Sequence, residues 1–262
     1  MINDLPLVVG ATLFMGAAVL VTVGPFMLIR TYHAALVPDR THDMAMAVGV
    51  RLGALHGLLL ALVFSVVQSE YLSQRTLVAQ EAAATARAYF NLERFGNPAA
   101  DALRREVEAY TREVIDGEWP ALANEKLSPK AWEIYDRIYD GALNLESQTP
   151  RQETLRDAIL VSLNRINEFR QDRLFAAGAR LPTLFWYIAI VGFLIVAALF
   201  FVFEYTRLHA SMLGGYAAYT GAILYFIYVM NNPFSGPPGL KAGPLELIYT
   251  DAMSERRGSR GF

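Results

Sequence analysis

The sequence predicts an all-α polytopic membrane protein, with four transmembrane helices and a helical cytoplasmic insert between spans 2 and 3. Three observations carry this. The 262-residue chain is 54% hydrophobic and only 18% charged, where soluble domains carry about 25%. Its charges are crowded: residues 70–180 hold 15 of the 23 Lys and Arg and 18 of the 25 Asp and Glu. Outside that stretch, four long blocks are almost free of charge. The pattern excludes a soluble enzyme and a disordered chain. With no cysteine, a disulfide-stapled module and a thiolate metal site are excluded as well. A net charge of −2 gives no reason to expect a nucleic-acid partner.

The first block, Leu5–Ile29, has 25 residues, enough to cross a hydrocarbon core of roughly 30 Å as a helix. No Lys or Arg precedes it, and it exceeds the apolar run of a signal peptide, so it reads as a retained span. Gly24-Pro25 predicts a kink or an early stop. The second block, Met44–Ser69, is interrupted by Arg51 and His56. The third, Leu181–Phe203, carries Pro182 where a first-turn proline costs no hydrogen bond. The fourth, His209–Met230, is stopped by Asn231-Asn232-Pro233. The short turn between the last two predicts an antiparallel hairpin.

The insert reads as helical throughout. Leu103, Val107, Tyr110 and Val114 form one apolar stripe, and Leu155, Ile159, Leu163 and Ile166 form another. Asn97-Pro98, Ser128-Pro129 and Thr149-Pro150 are three capped helix starts. Thr149 with Gln152 makes a capping box. Tyr71, Val78, Ala82, Thr85, Tyr89 and Leu92 carry the second span's helix beyond the membrane. The organisation is therefore a first transmembrane pair (1–69), a helical cytoplasmic domain (70–180), a second transmembrane hairpin (181–230) and a cytoplasmic tail (231–262). Four spans put both termini and the insert on one side. Arg75, Arg170, Arg173, Arg180 and Lys241 near the span ends there outnumber Arg30, Arg40, Arg51 and Arg207 opposite, which favours a cytoplasmic insert.

Small residues mark two helix-packing seams: Ala45, Gly49, Gly53, Gly57 and Ala61 in span 2, and Ala210, Gly214, Ala218 and Ala222 in span 4. Lipid gives helices no hydrophobic reason to associate, so close backbone approach at small residues must do it. The spacing fits packing within one chain or between subunits around an axis. His56 is the deepest ionisable group, and such groups are functional candidates. With Phe64 and Gln68 toward the cytoplasmic end of the same span, it makes a set of pore candidates. Tyr219 is placed too deep for an interfacial belt and is expected to bond another helix. His33, Asp39, His42 and Asp43 cluster in the first loop without a rigid ligand spacing, so no metal and no cofactor is expected. No phosphate loop, nucleophile elbow or HExxH motif occurs, and no catalytic residues are assigned.

Three stretches carry a resemblance: Gly57–Tyr89 with Gln68, Ala79, Glu81 and Ala82; Asp116-Gly117-Glu118-Trp119-Pro120-Ala121-Leu122-Ala123; and Met230-Asn231-Asn232-Pro233-Phe234-Ser235-Gly236 directly after the last span. Over roughly residues 45–250 the chain resembles the bestrophin-like domain family of bacterial and plant membrane proteins. The family is named for bestrophins, oligomeric anion channels gated by calcium. The resemblance implies an oligomeric channel. It does not bring the calcium clasp, because Ser235-Gly236-Pro237-Pro238-Gly239-Leu240-Lys241 follows the exit turn where bestrophins have an acidic run. The expectation is a homo-oligomeric anion channel of the bacterial inner membrane, with the lipid bilayer as its medium. The alternative is a non-conducting scaffold or sensor, or a subunit of a larger membrane complex, in which the charged insert binds a partner.

Overall fold

The computed structural model describes residues 6–32, 39–122, 126, 128–178, 180–235 and 239–254, and every regular element among them is helical. In order they are α1 (Leu7–Tyr32), α2 (Asp39–Phe95), α3 (Pro98–Glu113), a π-helical segment (Val114–Glu118), α4 (Trp119–Leu122), α5 (Pro129–Leu143), α6 (Pro150–Gly178), α7 (Thr183–Leu199) with a 3₁₀ turn (Phe200–Val202), α8 (Arg207–Met230), α9 (Gly243–Ile248) and a second π-helical segment (Tyr249–Ser254). Four helices are long and apolar enough to cross a membrane, beginning at Leu7, Thr41, Thr183 and Arg207. Inter-residue contacts divide the chain into two units. The first is Met1–Tyr71, Arg180–Asn232 and Gly236–Pro238; the second is Leu72–Ala179, Pro233–Ser235 and Gly239–Phe262.

In the first unit, α1 runs through Pro25 without stopping. A membrane helix tolerates the lost hydrogen bond when neighbouring groups re-satisfy the backbone. Its C-terminal Arg30 reaches the end of α7: Nε donates to the Phe203 carbonyl at 2.8 Å and Nη2 to the Val202 carbonyl at 3.0 Å. The expected hairpin partner of α8 was α7, yet α8 lies chiefly along α1. The close approach is made by Leu213, Ala217 and Gly221, all turned inward. This stripe also repeats every four residues, but one position before the predicted stripe of Gly214 and Ala218. A side chain on Gly221 would put its Cβ 2.8 Å from the Phe14 carbonyl oxygen and 3.0 Å from Ala18 Cβ. Opposite, the missing side chain of Gly10 makes room for the Tyr225 ring, which packs 5.1 Å from Phe14. Tyr219, expected to bond another helix, is 69% exposed. The helix turns it away from the side that Leu213, Ala217 and Gly221 bury.

The second unit is an α-helical domain around one core. The two predicted stripes meet there: Leu103, Val107, Tyr110 and Val114 on α3, and Ile159, Leu163 and Ile166 on α6, with Ala82, Tyr89 and Leu92 on α2. The caps sit where the sequence places them. Asn97 Oδ1 accepts from Ala100 N at 2.7 Å, and Ser128 Oγ from Ala131 N at 3.4 Å. Thr149 Oγ1 accepts from Gln152 N at 3.2 Å, while Gln152 Oε1 accepts from Gln148 N at 2.8 Å. Each satisfies a backbone donor that a helix start leaves open.

Candidate functional site

Two places hold chemistry, one in each unit. The first is the long outward face of α2. Ala54, Gly57, Leu58, Ala61, Ser65 and Gln68 are exposed along it, although most are apolar or small. Among the described residues, Gly53 and Gly57 have no atom within 4 Å of where a side chain would begin, and Gly49 meets only the Leu199 side chain at 3.5 Å. Gly49 and Gly53 instead line an apolar pocket of about 500 Å³ with Leu199, Phe203, Met212 and Tyr216. The α2 seam is therefore left unfilled within one chain. In α8, Gly214 meets only Val23 Cγ2, at 3.8 Å, and Ala218 is half-buried.

The three pore candidates do not share this face. His56 is 6% exposed and points the opposite way. Its Nε2 lies 3.0 Å from the Ala189 carbonyl of α7, and its Nδ1 lies 3.2 Å from Tyr216 Oη of α8. Gly192 leaves room for the imidazole, because a Cβ there would stand 3.0 Å from His56 Cδ2. So His56 ties three spans together. Phe64 is half-buried against Leu60, Val67 and Phe185, at the edge of the outward face. Gln68 stands on the face itself. In the first loop, His33 lies outside the described residues, and His42 Nε2 lies 3.0 Å from the Val202 carbonyl. Among the described residues, no group of three His, Asp or Glu side chains could hold a metal ion.

The second place is a buried chain of charges in the helical unit. Glu81 of α2, Glu118 of the π segment, and Arg170 and Arg173 of α6 are all fully buried. Arg173 Nε donates to Glu81 Oε2 at 2.9 Å, and its Nη2 donates to Glu81 Oε1 at 3.1 Å and Glu118 Oε1 at 2.7 Å. Arg170 grips Glu118 side-on: Nε is 3.0 and 3.1 Å from its two oxygens, and Nη2 also donates to Oε2. The order is Glu81–Arg173–Glu118–Arg170. The guanidinium carbons stand over indole rings, Arg170 Cζ 4.1 Å from the Trp132 centroid and Arg173 Cζ 5.0 Å from that of Trp119; cation–π attraction is strongest when desolvated like this.

Local structure delivers Glu118. The Val114–Glu118 segment closes with the Trp119 N–H on the Val114 carbonyl, and such π turns are frequent at functional sites. Gly117 leaves room there for the Glu113 carboxylate, which a Cβ would displace. That carboxylate is itself held by Ser128 Oγ–H at 2.9 Å and Lys130 Nζ at 2.7 Å. The exit turn adds a lid to the indole. Trp119 Nε1 donates to the Leu240 carbonyl at 2.9 Å, and buried Phe234 meets the ring edge-on at 5.7 Å. Before it, Asn231 Oδ1 accepts from Leu181 N at 2.8 Å, and Asn232 Nδ2 donates to the Tyr228 carbonyl at 2.7 Å. Pro233 is buried and Ser235 half-buried, while Gly236 lies outside the described residues.

The bestrophin-like domain profile matches residues 16–245. The chain belongs to the bestrophin-like family. Two crystal structures of variants of a bacterial bestrophin homologue from Klebsiella pneumoniae share its fold, at 12% and 13% identity and TM-scores of 0.59 and 0.57. The matches cover 91% and 93% of this chain and 95% and 97% of the other. A crystal structure described as a membrane protein is also similar, at 12% identity and a TM-score of 0.60, over 91% of this chain and 96% of that one. No curated protein matches the sequence.

In this bestrophin-like chain the charge network joins residues that the sequence scatters over three stretches. Glu81 and Glu118 stand in stretches that carry the family resemblance. Counting charges places Arg170 and Arg173 near the span ends on the insert's side; the structure buries both. A signal did exist. Extending the α6 stripe Ile159, Leu163, Ile166 by four and three residues reaches Arg170 and Arg173, and Glu81 falls between Val78 and Thr85 on the buried face of α2. A charge on the apolar stripe of a helix calls for a buried partner.

The network makes the helical unit acid-labile. Burial alone would push Glu118 up, but Arg170 and Arg173 outweigh it and hold the carboxyl below its usual 4.5. Lys130 does the same for Glu113, helped by Ser128. Groups with lowered folded-state values contribute stability that is full above the unfolded value, about 4.3 for Glu, and is lost as pH falls through the folded one. Thermal unfolding in detergent should therefore be insensitive to these two groups from pH 7 to about 4.5 and fall steeply below. A flat profile down to pH 3 would contradict the pairing.

Proposed function

We propose that this protein is a homo-oligomeric anion channel of the bacterial inner membrane, with its termini and helical insert in the cytoplasm. The observation that carries this reading is the unpartnered outward face of α2, set in a chain of the bestrophin-like family. Ala54, Gly57, Leu58, Ala61, Ser65 and Gln68 leave a smooth, uncharged helix surface, with Arg51 at one end. Copies of the chain arranged about an axis would turn such faces to one another and enclose a path. A path of this kind passes anions by apolar constriction and polar side-chain donors rather than by fixed charge. Phe64 and Gln68 stand at its cytoplasmic end. His56 acts from behind, fixing α2 against α7 and α8. No catalytic role is proposed for any residue.

The test is chloride efflux from liposomes holding the purified protein. Efflux should exceed that of empty liposomes, and Gln68→Leu with Ser65→Leu should change its rate several-fold without changing particle mass. A monomeric particle, or an oligomer with no efflux, would support a scaffold or a subunit of a larger complex instead.

A further inference from the structure

The apolar pocket of the first unit is a slot with two unlike ends. It lies between α2, α7 and α8. The start of α2 meets the end of α7, because His42 Nε2 lies 3.0 Å from the Val202 carbonyl, and α8 begins just after, at Arg207. Ala45, Phe203 and His209 therefore mark an outer end, at the helix termini, and Gly53, Val196 and Tyr216 an inner one. At 1.5 Å per helical residue, Ala45–Gly53 and His209–Tyr216 each run about 10–12 Å. The slot thus follows the spans, from the membrane surface into the hydrocarbon.

Its polarity is graded along that length. Among the described residues that line it, only His209 and Tyr216 are polar. Tyr216 is already committed. The Ala189 carbonyl only accepts, so His56 Nε2 carries the imidazole proton and Nδ1 accepts the Tyr216 hydroxyl. The inner end offers an occupant no donor. At the outer end His209 Nδ1 donates to the Glu204 carbonyl at 2.7 Å, which leaves Nε2 for an occupant. Arg207, exposed in the same first turn, and the start of the helix itself favour an anion there.

These features describe the occupant. An apolar cavity stays dry, and an ion finds no partner at the inner end. The floor is smooth: a Cβ at Gly53 would have no described atom within 4 Å. Met46, Val50 and Met212 of the lining are exposed, so the slot is open beside them. A neighbouring helix, about 10 Å across, would roof such a slot without filling it. A lipid tail already lies parallel to the spans and fits lengthwise. We propose that the slot holds one acyl chain of a bilayer phospholipid, with the phosphate at the His209 end. The adaptable thioethers of Met46 and Met212 close on the chain. The site holds whether or not the spans conduct.

The test uses the purified full chain, exchanged extensively in detergent, given phosphatidylglycerol and weighed by native mass spectrometry. The unaltered protein should keep one phospholipid per chain. Gly53→Leu fills the inner end and should cut retention about tenfold with the subunit number unchanged. His209→Leu removes only the head contact and should cut it less. Crystals grown with a lipid brominated at mid-chain should place bromine between Gly53 and Val196. If Gly53→Leu fails to fold, Met212→Trp narrows the slot from an exposed position and replaces it. Equal retention in the unaltered protein and the filled variant, or bromine only elsewhere on the spans, would overturn the proposal. So would an unaltered protein without lipid; a subunit number altered by Gly53→Leu would then give the slot to a second copy.

Discussion

Arg173→Ala should cost the helical unit about 3–5 kcal/mol, the usual loss when one partner of a buried ion pair is removed. Arg173 is the residue on which the network turns. It binds Glu81 through two nitrogens and also reaches Glu118. Its removal leaves Glu81 buried with its cation gone and Glu118 with only Arg170. Arg173→Lys should recover little, because a point charge cannot bridge two carboxylates as a planar fork does. The informative comparison is the double replacement Glu81→Gln with Arg173→Met. It removes both the carboxylate charge and its cation, so it should be less damaging than Arg173→Ala alone. Thermal unfolding in detergent of the three variants checks this. A double variant no better than the single one would mean that burial of charge is not what makes Arg173 costly to lose.

Gly221→Val should separate α1 from α8. Its Cβ would meet a backbone carbonyl, that of Phe14, at 2.8 Å and Ala18 Cβ at 3.0 Å. A flexible side-chain end could move aside, but the Phe14 oxygen belongs to a helix and cannot shift without moving α1. Overpacking in close-packed interiors costs about 1–3 kcal/mol, and here the penalty falls on the principal helix pairing of the first unit. The expected readout is a loss of monodisperse protein on solubilisation, or a drop in Tm of several degrees. Gly57→Val is the control. Among the described residues of one chain nothing lies within 4 Å of a Gly57 Cβ, so damage there is expected to come through a second copy. A Gly57→Val protein with normal Tm but altered particle mass would place the α2 seam at a subunit contact.

The membrane class was legible because it depends on sums and spacings. Four charge-poor blocks of helical length and one charged insert follow from counting, and lipid leaves a spanning backbone few alternatives to helix. Helix starts were legible for a local reason: Asn97, Ser128 and Thr149 bond backbone groups only three residues away. The apolar stripes of α3 and α6 were legible because burial repeats with the helical period.

Tertiary structure alone decided which helices touch and which polar groups meet. Small residues four apart occur on more than one face of α8, and only the position of α1 makes Gly221 the close contact while Gly214 meets it loosely, at 3.8 Å from Val23 Cγ2. His56 is a functional candidate from sequence because an ionisable group in a span is costly and needs a polar neighbour. That neighbour proved to be Ala189 and Tyr216, each more than 130 residues along the chain. Arg170 and Arg173 count as charges near the span ends because the desolvation that dominates their energetics depends on what surrounds them. Glu81 and Glu118 lie 92 and 55 residues from Arg173. Hydropathy and periodicity describe a residue's own helix; a charge pair depends on a distance that only the folded chain defines.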